Sequence, residues 1–277
     1  AARCILSIEL SGAPRRLCGP LLHERFAAPS HALTGIRGIA AWGVVLYHIR
    51  LSLTGLLPPP VIAVFAKGYL AVDLFFILSG FVIWYNYAAR IADGGAGAAR
   101  LFLWRRFARV WPLHGAILAG FAALALAMLA TGRDASAYPL DELPAHLLLI
   151  QNWGFTAALT WNHPAWSIST EFAAYLVFPA LVLMARWDKV PSAVLLALAA
   201  LLAGGIFGLF GLDGHSDLGA DIPGLGLWRC LASFAMGCLM CQLWQRWNGA
   251  PRGGLLAGLS CAAIIAAAFG LGLPETA

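Results

Sequence analysis

The chain has 277 residues, 61% of them hydrophobic and 11% charged, against roughly 45–50% and 25% in soluble domains, and this excludes a water-soluble globule. The formal net charge of +5 is carried by basic residues at the ends of apolar runs instead of one patch with stacking aromatics, which excludes a nucleic-acid-binding module. Apolar runs of about 18 or more residues are long enough to cross a hydrocarbon core, and they are continuous instead of alternating, so the expected fold is an all-α polytopic transmembrane bundle and not a β-barrel.

Residues 1–30 read as a basic cytoplasmic segment, with Arg3, Arg15, Arg16 and Arg25 and no apolar core of a signal peptide. From residue 31 a transmembrane domain follows. Spans are expected at 33–54, 68–89, 108–130, 166–185, 192–211, 227–245 and 254–273. A shorter apolar stretch, 143–153, lies in the interface or dips into the bundle. With the N-terminus in the cytoplasm, 14 of the 18 Lys and Arg fall inside, and only Arg50, Lys67, Arg133 and Arg229 outside; the positive-inside rule then sets the orientation. Gly204, Gly205 and Gly208, and Gly254 and Gly258, have the small-xxx-small spacing of closely packed helices. Cys238 and Cys241 form a C-x-x-C inside a span, where they read as small packing residues. The chain opens on Ala and ends at Leu-Pro-Glu-Thr-Ala just past an apolar run, and it is expected to be a C-terminally truncated fragment.

Ionisable groups inside membrane helices are costly and functional by default, which singles out His48, Asp73 and Glu171. The expected spans place His48 roughly 10 Å, and both acids roughly 8 Å, below the outer boundary. Arg37 lies eleven residues before His48, about three helical turns, so one helix face carries both. Arg105, Arg106 and Arg109 cluster before the third span; such a cluster serves either as an inner-side anchor or as a seat for a phosphorylated ligand, since guanidinium binds phosphate bidentately.

These pieces resemble the acyltransferase-3 family of bacterial membrane O-acyltransferases. Leu33-Thr-Gly-Ile-Arg-Gly-Ile-Ala-Ala through Tyr47-His48 is similar to the family's first helix. Asp73-Leu-Phe-Phe-Ile-Leu-Ser-Gly-Phe resembles its second. Arg106-Phe-Ala-Arg109 with Pro112 resembles its Arg-x-x-Arg motif, and Trp166-Ser-Ile-Ser-Thr-Glu171 through Tyr175 and Pro179 its Trp-Ser-x-Ser-x-Glu signature. The chain departs from the pattern at Thr34, His114 and Phe172, where an Asp, a Tyr and a second Glu are usual. The family norm is about ten spans, against the seven expected here.

The resemblance implies transfer of an acyl group, acetyl above all, from acyl-CoA to a hydroxyl of a glycan or small polar acceptor, in the bacterial inner membrane with the N-terminus cytoplasmic. Arg37, Arg105, Arg106 and Arg109 would hold the donor's phosphates. His48 would act as general base or as nucleophile, with Asp73 or Glu171 orienting it. Ser79, Asn162, Ser167, Ser169 and Tyr175 are candidate hydrogen-bonding groups. Neither a metal nor a nucleic-acid partner is expected; membrane lipid is. Two alternatives stand beside this: a proton-coupled secondary transporter using His48, Asp73 and Glu171 as a relay, and a non-catalytic membrane scaffold.

Overall fold

The computed structural model describes residues 30–247. In chain order it contains α1 (Ser30–Ile49), α2 (Pro59–Ala66), α3 (Ala71–Ala130), α4 (Leu143–Leu147), α5 (Ala165–Leu183), α6 (Ser192–Leu212) and α7 (Ile222–Trp247), joined by short 3-10 turns and loops, with no strand among the described residues. This is the expected all-α architecture.

Among the described residues, four helical stretches are long and apolar enough to cross a membrane: Pro59–Ala130, Ala165–Leu183, Ser192–Leu212 and Ile222–Trp247. The expected count of seven is not confirmed among the described residues, the first of these stretches holding the expected second and third spans together. α1 is not among them, and the expected 254–273 lies outside the described residues. The expected second and third spans are the two limbs of α3, joined through a segment rich in Ala and Gly that leaves the helical path at Gly95. That helix is not straight. Tyr87 and Arg106, 19 positions apart, would be separated by roughly 28 Å on a straight helix, yet the Arg106 guanidinium donates to the Tyr87 hydroxyl at 2.9 Å. The chain turns back at Gly95, whose φ of 56° and ψ of −140° are open to glycine and not to residues with a Cβ.

The core sits where α3, α5 and α7 meet. Phe76, Ile83, Trp84 and Phe102 of α3 pack with Tyr175 and Phe178 of α5 and with Cys230, Phe234, Cys238 and Cys241 of α7. Aromatic edges join the three: Trp84 meets Phe178 at 6.0 Å, and Phe178 meets Phe234 at 6.0 Å between ring centroids. Ile39, Trp42, Leu201 and Leu212 face outward, as a bundle solvated by lipid requires.

Close helix approach is achieved by glycines other than the expected ones. A Cβ on Gly80 would lie 2.0 Å from the Phe234 carbonyl oxygen, and one on Gly237 would lie 2.0 Å from that of Ile77, so α3 and α7 cross in backbone contact. Gly204, Gly205 and Gly208 have nothing within 4 Å of that position. Their spacing copies the motif, but their α6 face meets no neighbour among the described residues. Gly254 and Gly258 lie outside the described residues. Cys238 and Cys241 are buried free thiols, and Cys238 Sγ reaches the Gly80 carbonyl at 3.5 Å, in keeping with a packing role.

Gly80→Val and Gly237→Val should each destabilise the protein by about 1–3 kcal/mol or more, whereas Gly205→Ala should be neutral. Thermal unfolding in detergent checks both, and equal effects at all three positions would contradict the assigned crossing.

Candidate active site

The N-terminal halves of α3, α5 and α7 and the C-terminal end of α1 come together at one end of the bundle. At its centre lies an ion pair that was not expected. Arg229, counted from the sequence with the outside cations at the outer end of the span 227–245, is 1% exposed. The reason is that α7 begins at Ile222, five residues earlier than expected, so Arg229 is two turns inside the helix. Its Nε donates to Asp73 Oδ1 at 2.7 Å and its Nη2 to Asp73 Oδ2. Nη1 donates to the Leu218 carbonyl at 2.6 Å, and Nη2 also to that of Tyr69 at 3.2 Å. Burying a lone guanidinium or carboxylate in such surroundings would cost several kcal/mol, and the bidentate geometry with carbonyl partners is what offsets it.

His48 sits in the last turn of α1. Its Nδ1 is 2.8 Å from the Val44 carbonyl; a carbonyl can only accept, so Nδ1 carries the proton and Nε2 the lone pair. The imidazole is thus oriented by its own helix backbone and not by a carboxylate. The ring is exposed and stands edge-on to Tyr47 at 5.3 Å. Tyr47 stands edge-on to Tyr69 at 5.8 Å, and the Arg229 guanidinium lies 5.6 Å from the Tyr69 ring centre. Two tyrosines therefore join His48 to the ion pair. Arg37, three turns back on α1, is half-buried.

Glu171, on the second turn of α5, interacts by side-chain hydrogen bonding with Tyr175 one turn on, and Tyr175 interacts likewise with Ser79 of α3. Arg106 acts on the same Tyr175 electrostatically, while donating to the Tyr87 hydroxyl. Its Nε has no partner among the described residues. Asp73 and Glu171 both lie within electrostatic reach of Cys230, so the two acids flank one point on α7. Arg106 is half-buried beside Tyr87 and Phe102, whereas Arg105 and Arg109 are exposed. The four expected phosphate-binding arginines thus divide into an inward one, two outward ones and Arg37 on α1.

The expected dip of 143–153 is a short α4 followed by irregular backbone clamped to α5. Leu149, fully buried, adopts φ 60°, a strained conformation for Leu. Ser169 Oγ holds it by donating to the Leu149 carbonyl at 2.9 Å and accepting from the Asn152 N–H at 3.2 Å. Trp153 Nε1 adds a bond to the Ser169 carbonyl at 3.0 Å. Irregular backbone among apolar helices survives only when protein satisfies it, and Ser169 does so. Ser167 bonds the Pro164 carbonyl at 2.9 Å, a local N-terminal contact. Asn162 borders a small cavity beside this loop together with His146, Gln151 and Asn152.

Two histidines here escaped the sequence reading. His114, noted only as a departure, is 3% exposed, and His146 is 2% exposed. His114 Nε2 donates to the His146 carbonyl at 2.8 Å. Burial, and then the charge of His114 beside it, pushes the His146 imidazole down from 6.5 to about 4. A signal existed for Arg229, a cation in an apolar run; none existed for His146, Gln151 or Asn152, which only the loop's tertiary path brings together. Asp213, His215 and Asp221 bring ligand atoms within 4.8 Å of one another, but His215 pairs with Asp213 at 3.2 Å and Asp221 accepts from the Gly224 N–H at 3.2 Å.

Comparison with known proteins bears on this arrangement. A family model described as an acyltransferase domain matches residues 30–276. The acyltransferase MdmB of Streptomyces mycarofaciens is 36% identical over 155 residues, covering 53% of this chain and 38% of that protein. Protein 2 in the picA locus of Rhizobium radiobacter is 35% identical over 171 residues, covering 56% and 80%. A putative O-acetyltransferase of Staphylococcus aureus is 26% identical over 161 residues, covering 54% and 24%. The match thus spans well under half the length of the first and third of these relatives. No solved structure matches.

Breaking the pair from one side, with Asp73→Leu or Arg229→Met, should cost about 3–5 kcal/mol, and the double variant much less than the sum. A thermal-unfolding cycle measures this; additive losses would show that the two side chains do not meet. Because His146 stays neutral in the fold to about pH 4 but takes a proton near 6.5 when unfolded, it subtracts stability as pH falls between those values. His146→Gln should flatten the fall of the unfolding midpoint in that window, and an unchanged slope would contradict the burial assigned to it.

Proposed function

Because the chain belongs to the acyltransferase-3 family, matched over residues 30–276, we propose that it is a membrane O-acyltransferase moving an acyl group, acetyl in the simplest case, from acyl-CoA to a hydroxyl of a glycan or other polar acceptor. The names of its relatives, an acyltransferase and a putative O-acetyltransferase, agree with that class of chemistry. The observation that carries the proposal is His48, with Nδ1 held by the Val44 carbonyl and Nε2 left basic at the end of the bundle where the ion pair lies.

His48 Nε2 takes the proton of the acceptor hydroxyl as its oxygen attacks the thioester carbonyl. The tetrahedral intermediate collapses with cleavage of the C–S bond, the new ester forms, and the imidazolium returns its proton to the departing CoA thiolate. In the nucleophilic variant Nε2 itself takes the acyl group first and passes it to the hydroxyl. The Asp73–Arg229 pair and the two tyrosines act as positioning groups for the α1 end. Arg105 and Arg109, being exposed, are free to meet the donor's phosphates, with Arg37 and Arg106 nearer the bundle. Donor entry from the cytoplasm, with the N-terminus on that side, follows from the charge distribution. A proton relay through His48, Asp73 and Glu171 is the weaker reading, since each of the three is hydrogen-bonded elsewhere.

The protein in proteoliposomes, supplied with labelled acetyl-CoA and extracted cell-surface glycans, should transfer label. His48→Ala should lower the rate at least about 100-fold with the fold intact. A folded His48→Ala protein that transfers at the normal rate contradicts the proposal.

A further inference from the structure

At the end of α1 two functional side chains flank one ring. The His48 imidazole stands edge-on to Tyr47 at 5.3 Å between ring centroids. The Arg50 guanidinium, on the 3-10 turn Arg50–Leu53 that continues α1, lies over the same Tyr47 ring at 3.9 Å from its centre. Arg50 Nη1 also donates to the Tyr47 carbonyl. Arginine is a long side chain that is free to sweep when exposed, but this one is half-buried and held to a single residue by two contacts, a stacked face and a hydrogen bond. Its guanidinium is therefore fixed in place beside His48.

A guanidinium takes a carboxylate through two parallel N–H groups. The ion pair at the centre of the bundle shows which edge serves: Arg229 gives Nε and Nη2 to Asp73 and sends Nη1 to the Leu218 carbonyl. Arg50 repeats half of that arrangement. Its Nη1 is given to a carbonyl, while its Nε–Nη2 edge has neither a hydrogen bond nor an ion pair among the described residues. The carboxylates packed toward this end are engaged elsewhere. Asp73 is held by Arg229, and Asp217, which neighbours Tyr69 across Gly219, accepts from the Gly219 N–H at 2.9 Å. A fixed guanidinium with its fork open, next to an imidazole whose lone pair is on Nε2, is an arrangement that receives an oxyanion.

We propose that the acceptor is an acidic glycan, and that Arg50 binds its carboxylate through the Nε–Nη2 edge while a hydroxyl of the same sugar residue meets His48 Nε2. That the oxyanion belongs to the acceptor rests on the acyltransferase reading; the open edge of Arg50 does not. Tyr47 sets the geometry. Its ring touches both groups, so they are close enough for one sugar residue, with a hydrogen bond at either end, to bridge them. A uronate carries its carboxylate and its hydroxyls on one ring and presents an anion to Arg50 and an O–H to His48. Arg50 touches no reacting atom, so it selects the acceptor and takes no part in the transfer of the acyl group or the proton. The phosphate of a lipid headgroup offers the same oxyanion chemistry. A guanidinium that serves headgroups snorkels along the interface, whereas Arg50 is pinned to Tyr47, which favours the acceptor.

Three small acceptors that differ at one carbon carry the test: methyl β-D-glucuronide, its neutral methyl ester, and methyl β-D-glucopyranoside. Their binding to the protein in phosphatidylcholine nanodiscs, without acetyl-CoA, is followed by ligand-observed NMR. The glucuronide should bind at least about tenfold more tightly than either neutral acceptor. Arg50→Gln should bring it down to their level, and Arg50→Lys, which keeps the charge but not the fork, should recover part of the difference. The unfolding midpoint of each variant checks its fold. Equal binding of the three acceptors by the unaltered protein overturns the proposal without recourse to a variant, and so does a preference that survives Arg50→Gln. An Arg50 effect seen only when phosphatidylglycerol is added to the discs means a headgroup contact only, and also overturns it. Transfer from labelled acetyl-CoA is read separately in the same discs. Arg50-dependent binding with no transfer to any acceptor supports the carboxylate seat and counts against the acyltransferase reading, while transfer to all three with equal kcat/KM overturns the seat alone.

Discussion

A guanidinium and a carboxylate meeting inside an apolar bundle is the constraint on which the active end depends. Arg229 makes four hydrogen bonds, two to Asp73 and one each to the carbonyls of Leu218 and Tyr69. Through them α7 is tied to α3, to the segment that leads into α3 and to the α6–α7 connection. Neither charge is tolerable alone at 1% exposure for the arginine side chain. The helices therefore have one register in which both are satisfied, and the glycine crossing at Gly80 and Gly237 lets the backbones approach closely enough to reach it.

From that fixed point the chemistry extends in two directions. Through Tyr69 and Tyr47 it reaches His48, whose tautomer is set by the Val44 carbonyl. Through Trp166 it reaches the α4–α5 loop and its buried side chains. Glu171, Tyr175, Ser79 and Arg106 form a third group on the α3–α5 side. The imidazole and the ion pair thus share one end of the bundle, while Arg106 lies further along α3, beside Tyr87.

The bundle was legible in the sequence because its signal is bulk: apolar runs too long for anything but a bilayer. The family was legible because its motifs are short and local. How the second and third runs are joined was not, since the Ala- and Gly-rich link between them leaves the helical path only at Gly95. Arg229 was misjudged because the span was started five residues late, which counted a cation lying two turns inside α7 with those outside. Asp73 was singled out as a costly charge within a helix, but its partner lies 156 positions away, and no local pattern carries that distance. The cavity beside His146 was invisible for a related reason, because it is built from a loop whose path Ser169 determines.

The contact between Arg229 and Asp73 can be measured directly by solid-state NMR in lipid bilayers, with ¹⁵N on arginine and ¹³C on the aspartate carboxyl. Rapid dipolar dephasing between the two, of the strength expected for a pair within hydrogen-bonding reach at 2.7 Å and abolished in Arg229→Lys, is the result this account predicts. An Asp73 carboxyl that shows no coupling to any arginine would contradict it, and with it the rigid end on which the placement of His48 rests.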